Sequence, residues 1–512
     1  MIKTFGPGKF STGYLILFFA GITLLYLSFL PVNYSFDGTV FSHFLRYALV
    51  RHDCLAVTQI HHLLYLPANY LLYRGLETVC HYRVLEFFHL QLFSMFFGIM
   101  ALVLVERMLK QLGLSLLLRL SGAAAVAFSY AFWLFALDAE VHLAGIFFTV
   151  AGLQLLIFRL NRTGALIGAA LCFALAGGFH LTNILIVSTV FFYFLSRRLP
   201  WRRSAQFFLA YFSFLLLLYG VYAAISHKPV HRILYNVFFG ADIYSGYRST
   251  SFNPPALSTL LTSLAALKRA LLAKAGIGST LLAAAFLALL ALAGKPAASE
   301  VRQTFKRAML LWFIPYFLFF SFWDSGNIEF KIHALIPLLL IAVTSLEGMK
   351  PLAANSLGVL LAGALLLGNL FFGIRPLADA SKNTNLQVAL AIQKATPAQA
   401  QILLTGNFQG YGYGKIYVPY FALRDASILD WLLGKGQSLA DILARLKANA
   451  ASGRPLYALG EIAEKGQAMR SLLDFHHVRA SETSRFYSGM TFIPAASLPG
   501  GYRLYRVEFA AP

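Results

Sequence analysis

The sequence predicts an α-helical polytopic membrane protein that carries a soluble α/β domain at its C-terminus. Three observations lead there. The 512 residues are 58% hydrophobic and 12% charged, with mean hydropathy +0.67, whereas soluble domains carry roughly 25% charged residues. Apolar stretches long enough to cross a bilayer recur along the first three-quarters of the chain. Beyond Arg375 those stretches shorten, and short strand-like and helix-like segments alternate instead.

A span needs about 20 mostly apolar residues, and about eleven stretches qualify. They run at 13–31, 84–105, 116–136, 141–158, 164–179, 181–196, 205–225, 276–294, 308–323, 332–347 and 356–374. The first lacks a small-residue cleavage site and reads as a retained span rather than a signal peptide. The fifth and sixth are short, and Gly178-Phe179-His180 alone separates them; they are expected to be tilted or partly re-entrant. Lys3 and Lys9 precede the first span. Arg107 and Lys110, Arg159 and Arg162, the Arg197–Arg203 cluster, Lys295 to Arg307, and Lys350 all fall on that same side. The positive-inside rule then puts the N-terminus in the cytoplasm and the C-terminus outside.

Two long loops are expected on the outer side, at about 32–83 and 226–275; the first is rich in His and Tyr and should hold one or two interfacial helices. The formal net charge of +21 is accounted for by basic loops facing anionic lipid, so nucleic acid is not an expected partner, whereas membrane lipid is. Cys54 and Cys80 share the first outer loop. A disulfide between them and two unpaired thiols are both open readings.

Residues 1–375 thus form the membrane domain and 376–512 an extracytoplasmic domain of about 135 residues. In the latter, Gln401–Thr405, Pro455–Leu459 and Tyr502–Phe509 read as strands, and Leu439–Ala450 and Glu461–Leu473 as helices. The Gly/Tyr-rich loop Gly406–Gly414 lacks the glycine spacing and following helix of a nucleotide-binding fingerprint.

Polar residues near the outer face of a membrane domain are the candidates for chemistry. Asp37 lies about seven residues past the first span, in Asn33-Tyr34-Ser35-Phe36-Asp37-Gly38, where a carboxylate can act as general base or simply cap a loop. His61 and His62 can hydrogen-bond phosphate or sugar hydroxyls; shared metal ligation is disfavoured because neighbours on a helix point about 100° apart. Asp138 and Glu140 lie between the third and fourth spans. Glu140 opens the fourth, so it is the stronger candidate, although a helix dipole alone can explain a carboxylate there. The island Asp324-Ser325-Gly326-Asn327-Ile328-Glu329-Phe330-Lys331 separates two spans. Its Lys331 can meet a lipid phosphate, snorkel, or pair with Glu329. Arg248, Lys268, Arg269 and Lys274 can hold a phosphate or form a headgroup-binding surface. Tyr65, His142, His180, Asn183 and His333 complete the polar set on the outer side.

In their order and topology these pieces resemble the GT-C superfamily of membrane glycosyltransferases, which includes the protein O-mannosyltransferases and the aminoarabinose transferases of lipid A. The chain is most similar to bacterial relatives of the O-mannosyltransferases. The acid–Gly element after span one is Asp37-Gly38, the His patch is His61 to Pro67, the aromatic-to-Ala-Glu stretch is Trp133 to Glu140, and the Gly-x-His-Leu-Thr stretch is Gly178 to Thr182. The likeness covers about residues 10–200, with weaker support from 320–335. Two departures stand out: Thr39 replaces a frequent second acid, and His61-His62-Leu63-Leu64 replaces a His-Pro-Pro-Gly patch. The resemblance implies inverting sugar transfer from a polyprenyl-phosphate donor to a protein, lipid or glycan acceptor on the outer face. Asp37 would be the base, with Glu140 and Asp138 beside it. His61, His62, Tyr65, His180, Asn183, Arg248, Glu329 and Lys331 would bind substrate. No metal ligand set is implied, and a divalent cation is an open possibility. Two competitors are a transporter or flippase of lipid-linked sugars, which would need buried mid-span charges and broken helices, and a non-catalytic polysaccharide assembly factor working through its tail.

Overall fold

A computed structural model of the chain describes residues 8–55, 58–227, 229, 231, 233, 256–274, 299–406 and 411–509. The expected span at 276–294 and the candidate Arg248 lie outside the described residues. The chain divides into two compact units, a membrane unit built from most of residues 1–378 and a second unit that joins Val32–His43 to Asp379–Pro512.

In the membrane unit the helices are α1 (Gly8–Ser28), α2 (Phe36–Arg51, which starts in the second unit), α3 (Tyr65–Cys80), α4 (Glu86–Gln111), α5 (Leu116–Phe128), α6 (Tyr130–Leu137) and α7 (His142–Arg159). They continue as α8 (Thr163–Phe179), α9 (Ile186–Ser196), α10 (Trp201–Ser226), α11 (Leu257–Leu271), α12 (Glu300–Trp323), α13 (Ile332–Leu346) and α14 (Pro351–Asn369). Among the described residues α4, α7, α10, α12 and the stretch Pro351–Leu377 are each long and apolar enough to cross a membrane. Four shorter apolar helices join them, at Thr12–Ser28, Thr163–Phe179, Leu181–Ser196 and Ile332–Leu346. The protein is an integral membrane protein. The stretch between α1 and α4 contains two helices, α2 and α3, and Cys54, Cys80 and Cys172 are free thiols.

The third expected span is two helices rather than one. α5 and α6 meet at 66°, because Ser129 between them is extended (φ −64°, ψ 140°). A broken helix inside a bilayer must satisfy its carbonyls from elsewhere. The buried Asn369 does so, donating through Nδ2 to Phe128 O (2.7 Å) and to Leu271 O (2.8 Å).

The second unit has a five-stranded sheet ordered β2-β1-β3-β5-β4, with β1 Gln401–Leu404, β2 Asp425–Ile428, β3 Leu456–Leu459, β4 Met490–Ser497 and β5 Arg503–Phe509. β1 is parallel to β2 and β3, in register Gln401↔Asp425 and Gln401↔Leu456. β5 runs antiparallel to β3 and β4. The inner strand β1 is buried on both faces: Ile402 and Leu404 join Val388, Ile392 and Tyr417 in one core, while Leu403 joins Ile442, Leu446 and Met469 in the other. β2 and β4 are additions to the sequence reading. The helix expected over 461–473 is two pieces, Gly460–Ala463 and Gln467–Phe475, broken at Lys465, which adopts a positive φ of 51°.

Candidate functional site

Four loops of the membrane unit bring polar side chains together. The first is the entry to α3. Leu64 N–H donates to Gly178 O (2.9 Å), and a Cβ on Gly178 would lie 2.7 Å from Leu64 Cδ1, so glycine lets the two loops touch. His62 thereby stacks near His180, with ring centroids 4.8 Å apart. The second loop joins α6 to α7. Asp138 ends α6 in extended conformation and accepts from the Ala139 N–H (2.8 Å). Ser94 Oγ donates to Glu140 O (2.9 Å), and both acids are about 95% buried, Asp138 at 5% and Glu140 at 4% exposure. Burial first, then the Glu140 and Asp138 charges, push the Tyr65 phenol up, which ties this loop to α3.

The third loop follows α8. His180 caps the short helix Leu181–Leu185, and its Nδ1 accepts from Thr182 N–H (3.2 Å) and meets Thr182 Oγ1 at 2.6 Å. Asn183 Nδ2 donates to Ala176 O and His180 O, both at 3.1 Å. Gly145 of α7 makes room for that amide, because a Cβ there would collide with Asn183. Burial, reinforced by His142 and His62, holds His180 well below the usual histidine range. Burial, then the charges of His61 and His142, push His62 down to about 3. Both rings are therefore neutral near pH 7.

The fourth loop joins α12 to α13. Glu329 Oε1 meets His142 Nε2 at 2.6 Å, and Glu329 N–H donates to Asn327 Oδ1 (2.9 Å). Burial alone would raise the Glu329 carboxyl; the His142 charge and the hydrogen bonds from His142 and Asn327 outweigh it and leave the carboxyl below its ordinary value. Lys331 is fully buried and donates through Nζ to Phe320 O (2.9 Å) and Asp324 O (3.4 Å). Burial pushes its amine down to about 8 despite the opposing Asp324 charge. The two simpler readings of Lys331 are thus corrected. It does not snorkel, because its head is enclosed, and Glu329 pairs with His142 instead of with it. His333, at the start of α13, stacks on Tyr316 (4.9 Å, 19°).

His142, His180 and Glu329 each offer a ligand atom within 4.8 Å of the others. The hydrogen bonding of His180 works against a cation there. Metal-bound histidine donates its other ring N–H to an acceptor, whereas His180 Nδ1 receives the Thr182 N–H. Its proton is thus assigned to Nε2, which makes that nitrogen a donor. That argument bears on the His142, His180 and Glu329 group alone.

The sequence candidates fall into three groups. His62, Tyr65, Asp138, Glu140, His180, Asn183, Glu329 and Lys331 lie on the four loops, with His61 adjoining His62. Asp37 is exposed and belongs to the second unit. Arg248 is outside the described residues. Of the basic stretch on α11, Arg269 donates to Gly326 O (2.7 Å) and Lys274 Nζ lies over the Phe372 ring (4.6 Å), so both have intramolecular partners. His142, in the sequence's polar set without a partner named for it, pairs with Glu329.

No protein-family model matches the chain, and no curated protein matches its sequence. Solved structures do. ArnT from Cupriavidus metallidurans bound to undecaprenyl phosphate aligns with TM-score 0.67 at 11% identity, over 97% of this chain and 98% of that one. The apo form of the same protein aligns with TM-score 0.64 at 12% identity, over the same shares. The chain has the GT-C fold of these structures along nearly its whole length.

Proposed function

We propose that the chain is a glycosyltransferase that moves a sugar from a polyprenyl-phosphate donor to an acceptor at the outer face of the membrane. The observation that carries this reading is the full-length likeness to a protein solved with undecaprenyl phosphate. The convergence of a buried lysine, neutral histidines and three carboxylates on four loops at one end of the membrane helices supports it.

In this reading Asp37 is the general base. Its carboxylate takes the proton of an acceptor hydroxyl as that oxygen attacks the anomeric carbon. The carbon–oxygen bond to the carrier breaks, its electron pair leaves with the phosphate, and the configuration inverts. Lys331 retains an N–H beyond the two that meet backbone carbonyls and neutralises the departing phosphate. His180 and His62, held neutral, offer hydrogen bonds without adding charge. Glu140, Asp138, Tyr65 and Asn183 orient the sugar, and the Glu329–His142 pair holds the α12–α13 loop that carries Lys331. The test is sugar transfer by purified protein in nanodiscs, supplied with labelled polyprenyl-phosphate sugars and membrane-extract acceptors, in wild type and Asp37→Asn. The reading expects turnover by wild type and its loss in a folded Asp37→Asn variant. Equal turnover in both would remove Asp37 from the chemistry.

A further inference from the structure

The segment that carries Asp37 is bound to the C-terminal domain by contacts distributed along its length. Asn383 Nδ2 donates to Val32 O (2.6 Å), and Tyr417 Oη donates to Tyr34 O (2.9 Å). The Tyr34 ring stacks on Phe421, with centroids 5.3 Å apart and planes 12° apart. The neighbour of the acid, Phe36, meets Tyr413 edge-on (6.1 Å) and receives the Lys415 ammonium over its other face at 4.5 Å. These anchors come from three stretches of the domain: the start of the helix Thr384–Ala395, the turn Gly414–Tyr417, and the helical turn Val418–Ala422.

Lys415 is the unusual member. It is only 7% exposed, and an enclosed ammonium is costly unless charge or a ring face compensates it. The Phe36 face supplies one compensation, and the carboxylates of Asp430 and Asp37 supply the rest against burial. A lysine kept for solubility would point to water, and one kept for packing would be better replaced by an apolar residue.

We infer that the C-terminal domain is the clamp that orders the Asp37 segment, and that Lys415 is a positioning residue that holds Phe36, the neighbour of the acid, through its ring face. The inference rests on the reading of Asp37 as general base. It gives the domain a part in the reaction that does not require it to bind the acceptor.

The test uses the full chain in nanodiscs and two readouts. Amide hydrogen exchange of peptides covering 32–43 reports the clamp without any turnover. Tyr417→Phe should raise exchange there about tenfold, for one lost hydrogen bond, and Lys415→Met about threefold, for one lost cation–π contact. Lys447→Met, an exposed lysine on another helix, should leave it unchanged. In sugar transfer, Lys415→Met should lower kcat about tenfold with donor KM unchanged, and Lys415→Arg should restore kcat to within about threefold. Unchanged exchange in both clamp variants would overturn the clamp, and equal impairment of Lys415→Arg and Lys415→Met would overturn the positioning role. If Asp37→Asn kept full turnover while exchange still responded, the base assignment would fall, and the role of Lys415 with it, but the clamp would stand.

Discussion

Glu329 and Asp37 are both loop carboxylates beside apolar helices, and their surroundings differ in kind. Glu329 has a dedicated partner in His142 at 2.6 Å and an Asn327 cap. Asp37 is exposed, and the residues around it are held by rings and by backbone carbonyls of its own segment. A carboxylate saturated with partners is a poor base, because each hydrogen bond it accepts stabilises its charged form. In the proposed reading the buried cluster serves structure and binding, and Asp37 takes the proton.

Substitutions can break that division in order of effect. Asp37→Asn should cost about 10³-fold in kcat, within the range for removing a general base, with an unchanged thermal midpoint. Comparable loss in Glu329→Gln would erase the distinction between the two acids. Lys331→Met should reduce kcat/KM for the donor about 10²-fold, read from initial rates across donor concentrations. The sign of its pH dependence is fixed by an amine at about 8: Lys331 is charged below that pH and neutral above it, so donor KM should rise as pH climbs through 8. A flat profile from pH 7 to 9 would separate Lys331 from the phosphate.

Smaller effects fall on stability. His142→Ala leaves Glu329 without its partner and should cost about 2 kcal/mol, seen as a lower midpoint in thermal unfolding. Gly145→Ala should cost about 1–3 kcal/mol, because Asn183 would have to move.

Much of the fold is legible in sequence because hydropathy is a local signal. The expected spans other than 276–294 each meet an apolar helix, and β1, β3 and β5 lie within about a residue of their expected ends. The break at Ser129 was not legible, since α5 and α6 are both apolar and the group that makes the break tolerable, Asn369, is remote in sequence. β2 is four residues long, and β4 carries Pro494 and two alanines, so neither shows strand patterning. For the site, sequence supplied the residue types but not their pairings. Lys331 near Glu329 looked like an ion pair; the fold sends Lys331 to carbonyls and Glu329 to His142. Lys415, Tyr417 and Phe421 carried no signal at all, because their meaning lies in what they touch.

The most direct test of the account is the fate of the donor. Purified wild-type protein in nanodiscs would receive undecaprenyl-phosphate sugars labelled in the sugar, together with membrane-extract acceptors, and the lipid and acceptor fractions would be separated after incubation. The account predicts that label leaves the lipid, free undecaprenyl phosphate accumulates, and an equal amount of label appears in the acceptor fraction. Label that stays on the lipid across the whole donor panel, with folded protein and the native acceptor pool present, would contradict it.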